Sequence, residues 1–255
     1  PAAVPALEKR LSALGDRDGA ELAEVAGALA RLQPGTASPM LARLSTSPDP
    51  VLRAAAARGF GATRQASAVA PLAALSRDPD PAVRLAAYEA LGPLGSPGLA
   101  SLVAALPARS ADPDDLEALL RALGATGDPA AVPAIAGQLG GAHAATAATA
   151  LGRLGAPGGV KPLLELLDSG ARGGRVEAVE ALGLLGSPDA GEALSRELLS
   201  DRPAVRTAAA RSLGKIRHEA ASQRLEALRS DYYVDVRKAA LEALARLPVR
   251  GVKKP

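Results

Sequence analysis

The chain has 255 residues, 48% hydrophobic but only 2% aromatic, with no Trp and a single Phe, Phe60. Thirty basic against 27 acidic residues leave a net charge of +3, too balanced to argue for nucleic acid or a membrane surface on charge alone. With no Cys, disulfides and thiolate metal sites are excluded, and no apolar run reaches the ~20 residues of a membrane span. No signal peptide is visible and the expected location is cytoplasmic, although a chain that begins on Pro1 need not begin at its native start. Arg outnumbers Lys 24 to 6, which together with abundant Ala, Gly and Pro reads as high-GC codon usage.

In chain order, the apolar spacing predicts alternating helices of two types, A and B. Ala3-Val4-Pro5-Ala6-Leu7 matches Ala131-Val132-Pro133-Ala134-Ile135, the start of a B helix, so the chain opens on B. Asp49-Pro50, Asp80-Pro81 and Asp112-Pro113 open A helices. There the Asp carboxylate can accept orphan N–H groups, and Pro loses nothing by lacking one. Gly95, Gly155 and Gly186 suit the left-handed residue that ends helix A. Ser96-Pro97, Asp128-Pro129 and Ser187-Pro188 then cap helix B, which carries V-x-P-L-x-x-L at Val69–Leu75 and again at 160–166. The last A helix is expected near 234–247, ended by Leu247-Pro248 and followed by a basic tail with Arg250, Lys253 and Lys254.

The register is fixed by a Gly after the core Leu of helix A: Gly61, Gly92, Gly124, Gly152, Gly183 and Gly214, with Ala30 and Ala245 in the same slot at the ends. The spacings are 31, 31, 32, 28, 31, 31 and 31 residues. A Gly inside a helix costs about 1 kcal/mol against Ala, so its recurrence implies a gain from close approach of the next helix. A single helix pair cannot bury its apolar face, and stacked pairs can. Eight residues before the anchor stands Arg in five units: Arg53, Arg84, Arg175, Arg206 and Arg237. These are expected to form a structural ladder, each pairing with an Asp at an adjacent helix start such as Asp49, Asp80 or Asp201, in preference to binding phosphate.

The pattern D-P-x-V-R-x-x-A-x-x-A-L-G-x-L-G-x-P, clearest at 80–97, resembles the HEAT repeat, and more narrowly the bacterial HEAT-like subtype first associated with phycobilisome lyases. The resemblance covers nearly the whole chain. It implies an all-α fold, an α-solenoid (superhelix) of about eight stacked two-helix repeats over 1–255 as one domain. It leaves function open, because the family includes scaffolds, chromophore lyases, a metal hydroxylase and DNA-repair proteins.

The remaining candidates are weighed singly. HEAT-repeat deoxyhypusine hydroxylases hold di-iron with several His-Glu pairs, whereas this chain has only His218-Glu219, and its other histidine, His143, is followed by Ala144. That is too few ligands for a catalytic metal, so His218 is expected to begin a B helix. The cluster Asp112, Asp114, Asp115 and Glu117 reads first as a helix N-terminus, second as a site for a cation or basic partner. It lies where the Val-Arg signature is missing and the next unit shortens, so the array is irregular over 108–155 and a change of curvature is expected there. Tyr232 and Tyr233 read equally as an interface hot spot or a terminal cap. No nucleophile elbow, P-loop or dinucleotide fingerprint is present.

The leading expectation is a non-enzymatic scaffold, without cofactor, that presents outward polar side chains of B helices to a protein partner. Lys161, Glu165, Arg196, Glu197 and Arg224 are the expected contacts, with Tyr232 and Tyr233. A lyase-like chaperone for a chromophore or cofactor is the alternative. Nucleic-acid binding is the third reading, disfavoured by the lack of stacking aromatics. Opening on B and closing on A, the chain is expected to be a piece of a longer polypeptide, or an array whose ends are covered by another domain or a second copy.

Overall fold

In the computed structural model the described residues are 3–14, 19–32, 34–109 and 113–248. They form sixteen α-helices and no strand, and divide into two compact units, Pro1–Ala131 and Val132–Pro255. The first unit holds α1 (Val4–Leu14), α2 (Gly19–Leu32), α3 (Pro34–Ser45), α4 (Pro50–Thr63), α5 (Val69–Leu75), α6 (Pro81–Leu91), α7 (Ser96–Arg109) and α8 (Pro113–Ala125). The second holds α9 (Val132–Ala136), α10 (Ala144–Leu154), α11 (Val160–Asp168), α12 (Arg175–Leu185), α13 (Gly191–Glu197), α14 (Pro203–Ile216), α15 (Ser222–Ala227) and α16 (Val234–Arg246). Odd numbers are B helices and even numbers A helices, so the described residues run from a B helix to an A helix.

Sequence chemistry sets the helix ends. Asp49 and Asp80 are N-caps in extended conformation, accepting from Val51 N at 2.8 Å and from Ala82 N at 2.9 Å, each with Pro in the first turn. Asp112 lies outside the described residues. Gly155 (φ 72°) and Gly186 (φ 69°) close α10 and α12 in the left-handed region. The start of helix B departs from expectation. Ser187 and Asp128 cap a 3-10 turn that precedes the α-helix, accepting from Asp189 N at 3.3 Å and Ala130 N at 2.9 Å. Such turns stand at Ala66–Ala68, Pro129–Ala131, Pro157–Gly159, Pro188–Ala190 and Glu219–Ala221. They use tighter i→i+3 bonds and shorten the α-helical part that follows.

Within each unit the A helices pack in a row: α2, α4, α6 and α8 in the first, α10, α12, α14 and α16 in the second. B helices back the rows with fully buried Leu72, Leu163, Leu194 and Leu225. The anchor Gly is where neighbouring A helices meet. A Cβ built on Gly152 would lie 2.9 Å from Ala181 Cα, and one on Gly214 would lie 2.8 Å from Ala243 Cα. The irregular stretch shows as a five-residue α9, and the division between the units falls within it.

Replacing Gly152 by Val is therefore expected to lower stability by about 1–3 kcal/mol, the usual cost of overpacking. Urea unfolding followed by circular dichroism would show a lower midpoint, and an unchanged midpoint would refute the close approach.

Candidate functional site

The Arg series is a ladder with a different geometry from the expected one. Arg53 Nε and Nη2 donate to Asp78 Oδ2 and Oδ1 at 2.7 and 2.8 Å, while Nη1 donates to the carbonyls of Ser47 and Pro48. Arg206 repeats this with Asp231 at 2.9 and 3.1 Å and the Ser200 carbonyl at 2.8 Å. Arg175 holds Glu197 at 2.8 and 2.6 Å and the Leu167 carbonyl at 2.9 Å. Arg84 Nε donates to Asp115 at 2.7 Å, and its Nη1 to the carbonyls of Asp78 and Pro79. These ion-paired side chains are at most 19% exposed. Each Arg thus bonds backbone carbonyls of the segment leading into its own helix and a carboxylate 22 to 31 residues further along the chain.

That geometry corrects the expected partners. Asp49 and Asp80 are used up as helix caps, and Asp201 pairs with the exposed Arg172 at 3.0 Å. Because Nη1 is held by backbone carbonyls, the open edge of the guanidinium faces away from them. Asp78, Asp115, Glu197 and Asp231 meet it there. The available signal was the spacing of 25 residues from Arg53 to Asp78 and from Arg206 to Asp231. The Arg53 and Arg206 side-chain hydrogen bonds hold the carboxyls of Asp78 and Asp231 below the ordinary Asp range, against the opposing effect of burial.

Asp115, expected in an acidic cluster at a helix start, is 1% exposed and serves the ladder, while Glu117 lies 3.5 Å from Arg121. Glu197, expected as a partner contact, is likewise buried beneath Arg175. Lys161 and Glu165 are exposed and 3.9 Å apart, and Arg224 is exposed. Tyr232 is 88% exposed, edge-on to Tyr233 with ring centroids 5.2 Å apart; the Arg206 guanidinium lies 5.7 Å from the Tyr233 centroid. Exposure on this scale does not fit a terminal cap for Tyr232. His218 precedes the Glu219–Ala221 turn, its ring against Gly191 and its Nε2 3.5 Å from Glu192. Among the described residues no group of three or more potential metal ligands forms.

A surface of which the sequence reading named only Arg196 and Glu197 as partner contacts lies at the C-terminal ends of α11 and α13. An open groove of about 370 Å³ is lined by Asp168, Arg172, Arg196, Leu199, Asp201 and Arg202, among others. Arg196 donates to Asp168 at 2.8 Å, and Arg202 to the Arg172 carbonyl at 3.0 Å. Leu199 is 75% exposed beside the buried Leu198.

Removing one ladder partner leaves a buried charge. Arg84→Met is expected to cost about 3–5 kcal/mol and the double variant Arg84→Met/Asp115→Leu much less. Equal losses in the two variants would contradict the pairing. The ladder also sets an acid limit. A carboxyl with a depressed folded pKa contributes stability above its unfolded pKa of about 4, lost as pH falls through the folded value. Arg53→Met/Arg206→Met should flatten the fall in unfolding midpoint below about pH 4, and an unchanged slope would count against it.

The family model described as HEAT repeats matches residues 37–112 and 161–245, and that described as PBS lyase HEAT-like repeat matches 116–140. No curated protein matches the chain. Among solved structures, an engineered protein is similar at 23% identity and a TM-score of 0.52, over 94% of this chain and 78% of that one. Human deoxyhypusine hydroxylase in complex with glycerol is 23% identical with a TM-score of 0.40, over 94% and 96% of the two chains. The complex of CpcE and CpcF of phycocyanin lyase from Nostoc sp. PCC7120 is 23% identical with a TM-score of 0.49, over 94% of each chain. At this identity the likeness to the engineered protein shows the fold alone. The HEAT-repeat model matches more than half of the chain, and on that ground the chain belongs to the HEAT-repeat proteins.

Proposed function

We propose that the chain is a non-enzymatic scaffold that binds a protein partner through the groove at the ends of α11 and α13. The observation that carries this reading is Leu199, 75% exposed among Arg172, Arg196, Arg202 and their carboxylates. An apolar centre with an Arg-rich polar rim is the composition of a protein interface, where a few anchors supply most of the binding energy. The groove is open and shallow, which suits a protein surface better than a buried small molecule. Lys161 and Glu165, on α11, extend the same polar face.

A second reading, a lyase-like chaperone for a chromophore, is favoured by the match of 116–140 to the PBS lyase HEAT-like repeat. It predicts a shift in the visible absorption of a phycocyanin-type chromophore on mixing with the chain, and an unshifted spectrum would remove it.

For the scaffold reading, immobilised chain should capture partners from an extract of its source cells. Leu199→Asp and Arg196→Glu should each weaken that capture by about tenfold or more. Both positions are exposed, so unfolding midpoints should stay within about 0.5 kcal/mol of the parent. Equal capture by parent and variants would sink the assignment of the groove.

A further inference from the structure

Four positions before the anchor, six A helices carry a fully buried residue: Ala57, Tyr88, Leu120, Ala148, Val179 and Ala210 are all 0% exposed. Leu241 holds that register in α16 and is 49% exposed. The anchor Ala245 is exposed too, whereas Gly92, Gly152, Gly183 and Gly214 are buried. Arg237 is the fifth rung. Its Nη1 is fixed as in the others, 2.8 Å from the Asp231 carbonyl and 2.9 Å from that of Tyr232. Among the described residues no carboxylate meets its Nε and Nη2.

This face is half of an inter-repeat contact. A guanidinium fork fixed by carbonyls on one edge presents the other edge for bidentate binding, and the four inner rungs fill it with Asp or Glu. The complementary half has a recognisable register. Within each unit the anchor glycine lies on a small residue two positions before the next anchor: Ala90, Ala122, Ala181, Ser212 and Ala243. Ala28 holds that register in α2 and is half-buried. By sequence, Asp16, which lies outside the described residues, stands 14 positions before the anchor Ala30, as Asp78 and Asp231 stand before Gly92 and Ala245.

We propose that α16 of one copy docks on α2 of a second copy, head to tail, in the register of an inner repeat contact. Arg237 takes a carboxylate of the second copy, Leu241 becomes buried, and Ala245 lies on Ala28. The contact is separate from the groove around Leu199 and stands or falls independently of it. Because its two halves differ, each contact leaves one half of each kind free, and assemblies larger than a dimer, open or ring-closed, form as concentration rises.

Sedimentation velocity of the whole chain across a range of concentrations tests this. The parent should shift to larger species as concentration rises. Arg237→Glu or Leu241→Arg, which block the α16 half, and Ala28→Arg, which blocks the α2 half, should each weaken self-association by about tenfold or more. The decisive sample mixes Leu241→Arg with Ala28→Arg. Each retains one intact half, so the mixture should form a dimer that grows no further while each variant alone stays monomeric. Circular dichroism melting of each variant checks that it is folded. A parent that stays monomeric throughout, a mixture of folded variants that does not dimerise, or association that survives both blocks would overturn the proposal.

Discussion

The structure depends on one repeated interaction, the ion pair between an A-helix arginine and a carboxylate further along the chain. Its value comes from doing two jobs with one rigid group. Nη1 ties down the loop that precedes the arginine's own helix, while Nε and Nη2 fix the neighbour. Burial raises the penalty for breaking such a pair more than the gain from making it. The ladder's net contribution to stability is therefore smaller than the cost of breaking one side of a rung. A lysine could not replace it, because a point charge cannot satisfy carbonyls and a carboxylate in fixed directions at once.

The second constraint is size. Neighbouring A helices meet backbone to backbone at the anchor glycine, against a small residue of the next helix. That close packing explains a chain that is almost half hydrophobic yet nearly without aromatic rings: thin layers of helices leave no thick core to fill. The exceptions mark special places. Tyr88 is fully buried with its hydroxyl donating to the Ser76 carbonyl at 3.2 Å, whereas Tyr232 is largely open to solvent.

With interior side chains committed to packing and to the ladder, chemistry is left to the surface. Many exposed charges pair locally and contribute little to stability, as with Lys161 and Glu165. Leu199 has no such explanation, since an exposed leucine among arginines gains nothing for the folded chain alone. It is there that we propose a partner binds.

The sequence by itself determined the repeat, the alternation of A and B helices, the capping aspartates and the close approach at the anchor. All of these follow from local rules: Gly where a helix must be approached, Asp-Pro where one must start, apolar residues at helical spacing. It also showed that the arginines form a series. Only tertiary structure decided what they bind. Asp49 and Asp80 look like partners from their position, but each instead caps its own helix, accepting from a backbone N–H two residues away. The true partners lie 22 to 31 residues onward, and Asp115 and Glu197 read as surface residues until the neighbouring helix covers them. Local propensity is set along the chain, whereas burial and pairing are set by which helix packs on which, and a repeat spacing of about 31 residues lies far outside any local window.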